Sequence, residues 1–221
     1  MKIDPSSSET AATVDPLVGS RGAEVGLRGV IGDTLNTSIA LWRLYFDSEL
    51  LFVGDASNAE AGRPSQRYSI AANLCLYYRF NEHRSLDLQY AGPEARFRDQ
   101  AEEGQYIPSA VDAVLQAGLS ADFGGRWFGS VRLSYAGGHS LDGSGEIRSA
   151  ASRSTHLRSG HRWQNTTLTL DVLNLFDSRD HDIDYLYASR LQNEPEGTDN
   201  EDIHYRVLAP RRIKFRARYY F

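Results

Sequence analysis

A single cysteine, Cys75, stands among 221 residues. That excludes an internal disulfide framework and a cysteine-based zinc site, and leaves Cys75 as a small filler. No apolar run is long enough for a transmembrane helix. Cations are not in excess: the net charge is −5, so no basic footprint points to nucleic acid. The first residues, MKIDPSSSETAATVDP, lack the apolar stretch of a secretory signal. HExxH, GxSxG, a phosphate loop and a Cys/His pair are all missing. The six histidines, His83, His139, His156, His161, His181 and His204, are scattered. No catalytic residue and no cofactor is expected. The negative mean hydropathy is compatible with a membrane protein, because barrel strands are only half apolar.

What is abundant is alternation. The last eleven residues, Arg211–Phe221, read RRIKFRARYYF. Ile213, Phe215, Ala217, Tyr219 and Phe221 occupy one set of alternate positions; Arg212, Lys214, Arg216, Arg218 and Tyr220 occupy the other. A period of two puts these sets on opposite faces of a strand, one apolar and one carrying four cations. The stretch spans about 36 Å at about 3.3 Å per residue. Tilted by about 40°, it still crosses an apolar membrane band about 25 Å tall.

The pattern recurs along the chain. Strands are expected at Ala23–Ile31, Asn36–Val53, Tyr68–Phe80, from Leu86 through a bulge at Gly92 and Pro93, Val111–Phe123, Trp127–Tyr135, the mostly polar Arg153–Trp163, and Thr166–Asp177. Leu173 and Leu175 break the alternation of the last of these. The chain is then expected to run on through Asp182–Leu191 into an acidic loop, Glu194–Asp202. Residues 1–21 read as irregular, and residues 22–221 as one all-β unit. With the terminal strand, nine strands result. The connections near 32, 82, 125 and 164 are two to four residues, whereas those near 60 (Gly54–Ser65), 101, 145 and 190 are roughly ten or more. Short turns at one end and long loops at the other suit an antiparallel up-and-down transmembrane β-barrel. Aromatics form 11% of the chain, and Tyr77, Tyr78, Phe80, Trp127, Phe128, Trp163, Tyr219, Tyr220 and Phe221 gather near the short turns, like an interfacial girdle. Two other readings remain: a small autonomous outer-membrane pore or structural barrel, and a soluble β-sandwich binding module.

Leu170–Asp177, LDVLNLFD, followed by a terminal strand ending in Phe221, resembles the C-terminal end of TonB-dependent outer-membrane receptors. DPLVGSRGAEVGLR from Asp15, LWRLYFDSELLFVGD from Leu41, ARFRD from Ala95 and DIDYLYASRL from Asp182 extend the likeness. The resemblance implies a segment of a barrel of about 22 strands whose lumen holds an N-terminal plug. It implies uptake of ferric siderophores or other scarce nutrients, driven through the TonB system, and a cell outer membrane location. Expected partners are outer-membrane lipid, the remaining barrel strands and the plug, with TonB reached only through that plug. Only the last nine strands are matched, so the chain is expected to be a truncated or split product, inactive in transport alone. Phe215, Ala217, Tyr219 and Phe221 would form the C-terminal barrel-assembly signal. Arg212, Lys214, Arg216 and Arg218, joined by Arg28, Arg43, Arg79 and Arg132, would form a basic wall facing the lumen.

One further cluster carries acidic chemistry. Asp177, Asp180, Asp182 and Asp184, with His181, are dense enough to suggest a loop cation site. Their spacing matches no EF-hand, and a solvated loop is the competing reading.

Overall fold

In a computed structural model of the chain, the described backbone covers Lys2–Ile3, 18–53, 58–99, 104–189, Pro195 and 200–221. Side chains are described for 18–47, 74–99, 104–189, 195 and 201–221. Among the described residues twelve strands form: β1 (Lys2–Ile3), β2 (Ser20–Ile31), β3 (Leu35–Val53), β4 (Asn58–Asn81), β5 (Arg84–Phe97), β6 (Val114–Phe123), β7 (Trp127–Ala136), β8 (Ser152–Trp163), β9 (Thr166–Leu173), β10 (His181–Ser189), β11 (Asn200–Val207) and β12 (Arg212–Tyr219). Nine of them lie side by side in the order β12-β9-β8-β7-β6-β5-β4-β3-β2, and β1 pairs with β4. Every pairing is antiparallel. β10 and β11 form a separate hairpin inserted between β9 and β12.

Register and period two divide the sheet into two faces. One presents Val25, Leu27, Ile39, Leu41, Leu86, Leu119, Val131, Leu133, Leu170, Ile213 and Phe215. A soluble sandwich would cover such a face with a second sheet about 10 Å away. Here it is bare: Leu27 is 72% exposed and Phe215 68%. Among the described residues only Phe97, Ile107 and Leu141 are buried hydrophobics; Phe97 ends β5, and Ile107 and Leu141 lie within the long connections after β5 and β7. This excludes the sandwich architecture expected as an alternative.

The aromatic residues near the tight turns sort by face. Tyr78, Phe80, Phe123, Trp127, Trp163, Tyr219 and Phe221 lie on the apolar face. Tyr78 meets Phe80 edge-on at 4.8 Å, and Tyr219 meets Phe221 at 5.1 Å. Tyr77, Phe128 and Tyr220, grouped with them by sequence position, fall on the polar face instead.

Several boundaries differ from the sequence reading. The loop expected at Gly54–Ser65 is largely strand, because β4 begins at Asn58 and pairs with the far half of β3. Its residues show no alternation because a ladder beyond an apolar band needs no dry face. Pro64, which has no N–H to give, sits at an irregularity between the Phe46 and Glu49 pairings. Within residues 1–21, Ser20 and Arg21 already belong to β2. The expected bulge at Gly92 and Pro93 is present, but its surplus residues lie on β4. Asp182–Leu191 does not extend β9. The chain turns at Asn174–Asp177, both of which have positive φ (51° and 54°), and starts the β10–β11 hairpin.

Candidate functional site

The polar face is the chemically equipped one. β12 sets Lys214 opposite Asp171, Arg216 opposite Thr169 and Arg218 opposite Thr167. Phe215, Ala217 and Tyr219 alternate with them on the other face, opposite Leu170, Leu168 and Thr166. The cations of β12 are therefore not an isolated wall. They meet Asp171, which is only 6% exposed because Arg158 from β8 lies over it, Nε to Oδ1 at 2.6 Å. Arg216 stands 3.9 Å from the other carboxylate oxygen. A nearly buried carboxylate flanked by Arg158, Arg216 and Lys214 satisfies the rule that a charge leaves water only when paired.

Two further ion pairs span three strands each, and glycine makes both possible. Arg132 on β7 reaches Asp87 on β5 at 3.0 Å, crossing β6 at Gly118. A Cβ at Gly118 would stand 2.5 Å from Asp87 Oδ1 and 2.8 Å from Arg132 Nη2. Arg162 on β8 reaches Asp122 on β6 at 2.6 Å, passing over the Phe128 ring of β7 at 4.4 Å. The far end of that ring lies against Gly160, where a Cβ would come within 2.1 Å of it. The face is thus a lattice of fixed charges, with cations held in place by carboxylates two strands away.

Of the basic residues expected on one wall, Arg28, Arg132, Arg212, Lys214, Arg216 and Arg218 do share the polar face, and Arg79 falls there through its pairing with Ser85. Arg43 does not. The unbroken β2–β3 register puts Arg43 opposite Ala23, on the face of Val25 and Leu41. Alternation within β3 alone left open which of its two sets was the outer one.

The acidic cluster is not a site in this structure. Asp177 accepts the Arg211 N–H at 2.7 Å. Asp180 accepts the Arg153 N–H at 2.9 Å. Asp182 pairs with Arg206, and Asp184, 4% exposed, takes His181 Nδ1 at 2.5 Å. Each carboxylate is drawn to its own partner, and among the described residues no group of three or more His, Cys, Asp or Glu could hold a metal ion.

No protein-family model matches the sequence, and no curated protein matches it. Solved structures do match in shape. The ferric yersiniabactin uptake receptor FyuA from Yersinia pestis superposes with a TM-score of 0.71 at 16% identity, over 92% of this chain and 30% of that one. The ferric-catecholate import receptor Fiu from E. coli K12, in its closed form, gives 0.65 at 14% identity, over 90% and 27%. The copper transporter OprC gives 0.62 at 17% identity, over 80% and 28%. The sheet has the fold of part of a receptor β-barrel. It spans less than a third of each of these solved chains. All three are named as receptors or transporters rather than enzymes.

The sequence reading missed Asn174, the residue that organises the inserted hairpin. It is 5% exposed and left-handed, a conformation that Asn tolerates better than most side chains. Its Nδ2 donates to Ser178 O and Ala209 O, both at 2.9 Å, and its Oδ1 accepts the Ser178 N–H at 2.9 Å. Its own N–H donates to His156 Nδ1 at 3.1 Å. The side chain fastens both ends of the hairpin, so that β12 can return beside β9. The Leu173/Leu175 break in period was its visible trace.

Proposed function

We propose that this chain is the C-terminal part of the barrel wall of a TonB-dependent outer-membrane receptor. Its apolar face meets lipid, and its charged face lines the lumen. One observation carries the reading: among the described residues, a single antiparallel sheet exposes an apolar face bordered at its tight-turn end by aromatics, while the opposite face holds paired charges. Water would penalise the first face at roughly 25 cal/mol per Å², and lipid removes that penalty. In this reading Phe215, Ala217, Tyr219 and Phe221 present the assembly signal, and Arg212, Lys214, Arg216 and Arg218 face the plug or the water around it. The family role is uptake of a scarce nutrient. The similar solved proteins are named for ferric complexes and for copper, so the wall alone does not choose the cargo. The wall supplies no chemistry of its own; the plug would link it to TonB.

The test uses adjacent positions. With Cys75, which is exposed, replaced by Ser, nitroxide labels are placed at Phe215 or Arg216 of the chain in lipid vesicles. Oxygen should quench the label at 215, and a water-soluble nickel chelate the label at 216. Equal accessibility at the two positions would overturn the assignment of faces.

A further inference from the structure

β8 breaks the pattern that its neighbours keep. On the apolar face, β7 presents Gly129, Val131 and Leu133 across the height of the band, and β9 presents Leu168, Leu170 and Val172. Between them the register places Thr155, Ser159 and His161 of β8, with Leu157 as the one apolar side chain in that stretch. Among the described residues none of these three polar side chains has a hydrogen-bond partner; His161 meets the Trp127 ring, with centroids 4.5 Å apart. Beside them the face is hollow. Ala121, Gly129 and Ser159 stand in one register row across β6, β7 and β8. Their small side chains floor a hollow of about 590 Å³, walled by Trp127 on the tight-turn side and by Val131 and Leu157 on the other. On the far side of β8 the same row continues as a knob, Leu170 of β9, which is 41% exposed.

An acyl chain offers a hydroxyl or an imidazole nothing to bond, and a polar group left without a partner in hydrocarbon is costly. Small side chains beside polar ones are the composition by which membrane segments meet other protein. This stretch of the face carries no Asp, Glu, Lys or Arg, so its complement needs no charge. A hydroxyl both donates and accepts, and Ser159 is therefore its own complement across a two-fold axis. A surface that pairs with itself about such an axis must be hollow on one side of it and raised on the other. Here the hollow lies on the β7 side of Ser159 and Leu170 lies on the β9 side. Rotation about an axis in front of β8 carries Leu170 of the partner subunit over the hollow beside Gly129, and the first copy's Leu170 over the partner's hollow.

We propose that the outward face of β7, β8 and β9 is a contact through which two copies of this chain pair side by side in the membrane, with Ser159 at the two-fold axis and Leu170 of each copy in the hollow of the other. The contact rests on the reading that the apolar face meets lipid, and it adds a partner that this reading does not require. Thr155 and His161, on either side of Ser159 along β8, then face protein rather than acyl chains. The axis runs along the membrane normal, so both copies keep their long loops on the same side. The edge strand β2 lies six strands from β8 and stays outside the contact.

The chain, with Cys75 replaced by Ser, is placed in phosphatidylcholine vesicles and given one new cysteine. Ser159→Cys should yield a covalent dimer on mild oxidation. Ile39→Cys, exposed on the same face of β3, should stay monomeric. Association itself is read as energy transfer between donor and acceptor dyes on the N-terminal amine, while lipid is added to dilute the chains. Ala121→Leu fills the hollow and should weaken pairing about tenfold. It adds only apolar bulk to a face that lipid already suits, so the loss would not come from failed insertion. Leu170→Ala removes the knob and should weaken pairing to a similar extent. Monomers at every dilution, a cross-link as strong at position 39 as at 159, or pairing left unchanged by either variant would each overturn the proposal, the last by giving the hollow to an acyl chain or to a different protein. The nitroxide labels at 215 and 216 test the lipid reading separately. Their failure, with a Ser159→Cys cross-link that still depends on Leu170, would count against the membrane assignment and not against the contact.

Discussion

At the scale of single residues, two glycines and one asparagine set what the polar face can hold. Gly160 has no room for a methyl group under Phe128, whereas a Cβ at Gly29 would meet nothing closer than 3.9 Å. Gly160→Ala should therefore cost about 1–3 kcal/mol, the range for overpacking, and Gly29→Ala less than about 0.5 kcal/mol. Urea unfolding of the two variants in micelles makes the comparison. Asn174→Asp is expected to be more damaging than its small change suggests. It removes the amide donors from Ser178 O and Ala209 O and sets a carboxylate beside two carbonyls. Loss of buried partners costs about 1–3 kcal/mol, and faster proteolysis of the β10–β11 hairpin would report it. None of this was legible from period: glycine and asparagine read as turn formers in a sequence, and only the register shows what crosses above them.

His139, in the long loop after β7, gives a pH dependence. Burial holds its imidazole below the ordinary value; Asp184 and Asp112 oppose that shift, and Arg148 adds to it. Its Nδ1 lies 3.0 Å from Ser149 Oγ. An unfolded histidine protonates near pH 6.5, while the folded one resists until lower pH. The unfolded loop then binds more protons, and stability falls as pH drops below about 6.5. Hydrogen exchange at the Leu141 and Ser149 amides, corrected for intrinsic rates, should accelerate between pH 7.5 and 5.5. His139→Gln should remove that acceleration.

At the scale of elements, legibility followed the dry face. The β12 alternation was plain because four cations and five apolar residues cannot exchange places. A one-residue slip would put those cations in lipid at roughly 2–4 kcal/mol each near the midplane. Phe215→Arg should therefore block assembly in the outer membrane, while Arg216→Gln, which leaves Arg158 on Asp171, should be tolerated. Heat-dependent gel mobility after expression in a complete receptor distinguishes the two. β8 was the faintest strand because Thr155, Ser159 and His161 fill its outer positions, yet the pairings with β7 and β9 define it completely. The first part of β4, and the β10–β11 hairpin, were illegible for a different reason. A ladder needs no dry face, and residues 58–65 are mostly small or polar in sequence, so the ladder hydrogen bonds can hold such a strand without leaving a pattern in side-chain polarity. In the hairpin the order comes from ring stacking, His181 on Tyr205 at 3.8 Å and His204 on Tyr187 at 3.9 Å.

At the scale of the whole molecule, the nine-strand sheet ends, among the described residues, in two edges, β2 and β12. Alternation of direction makes these edges run the same way, so a seam between them would be parallel, unlike every other pairing. Open edges in lipid leave N–H and C=O groups unsatisfied at several kcal/mol each. The 221-residue chain refolded alone is therefore expected to give no discrete channel. A reproducible single-channel conductance with a heat-shifted monomer band would instead establish the small pore. The surplus in β4 has a consequence of a different kind. Between Ser69 and Leu74 that strand carries two residues more than β5 beside it, and an even surplus leaves side-chain parity intact. Removing one residue there would invert half of β4, sending its outward side chains inward; removing two would restore an uninterrupted ladder. Length variation at this spot should therefore be inherited in pairs, with a double deletion milder than a single one, as if the strand had a reading frame two residues long.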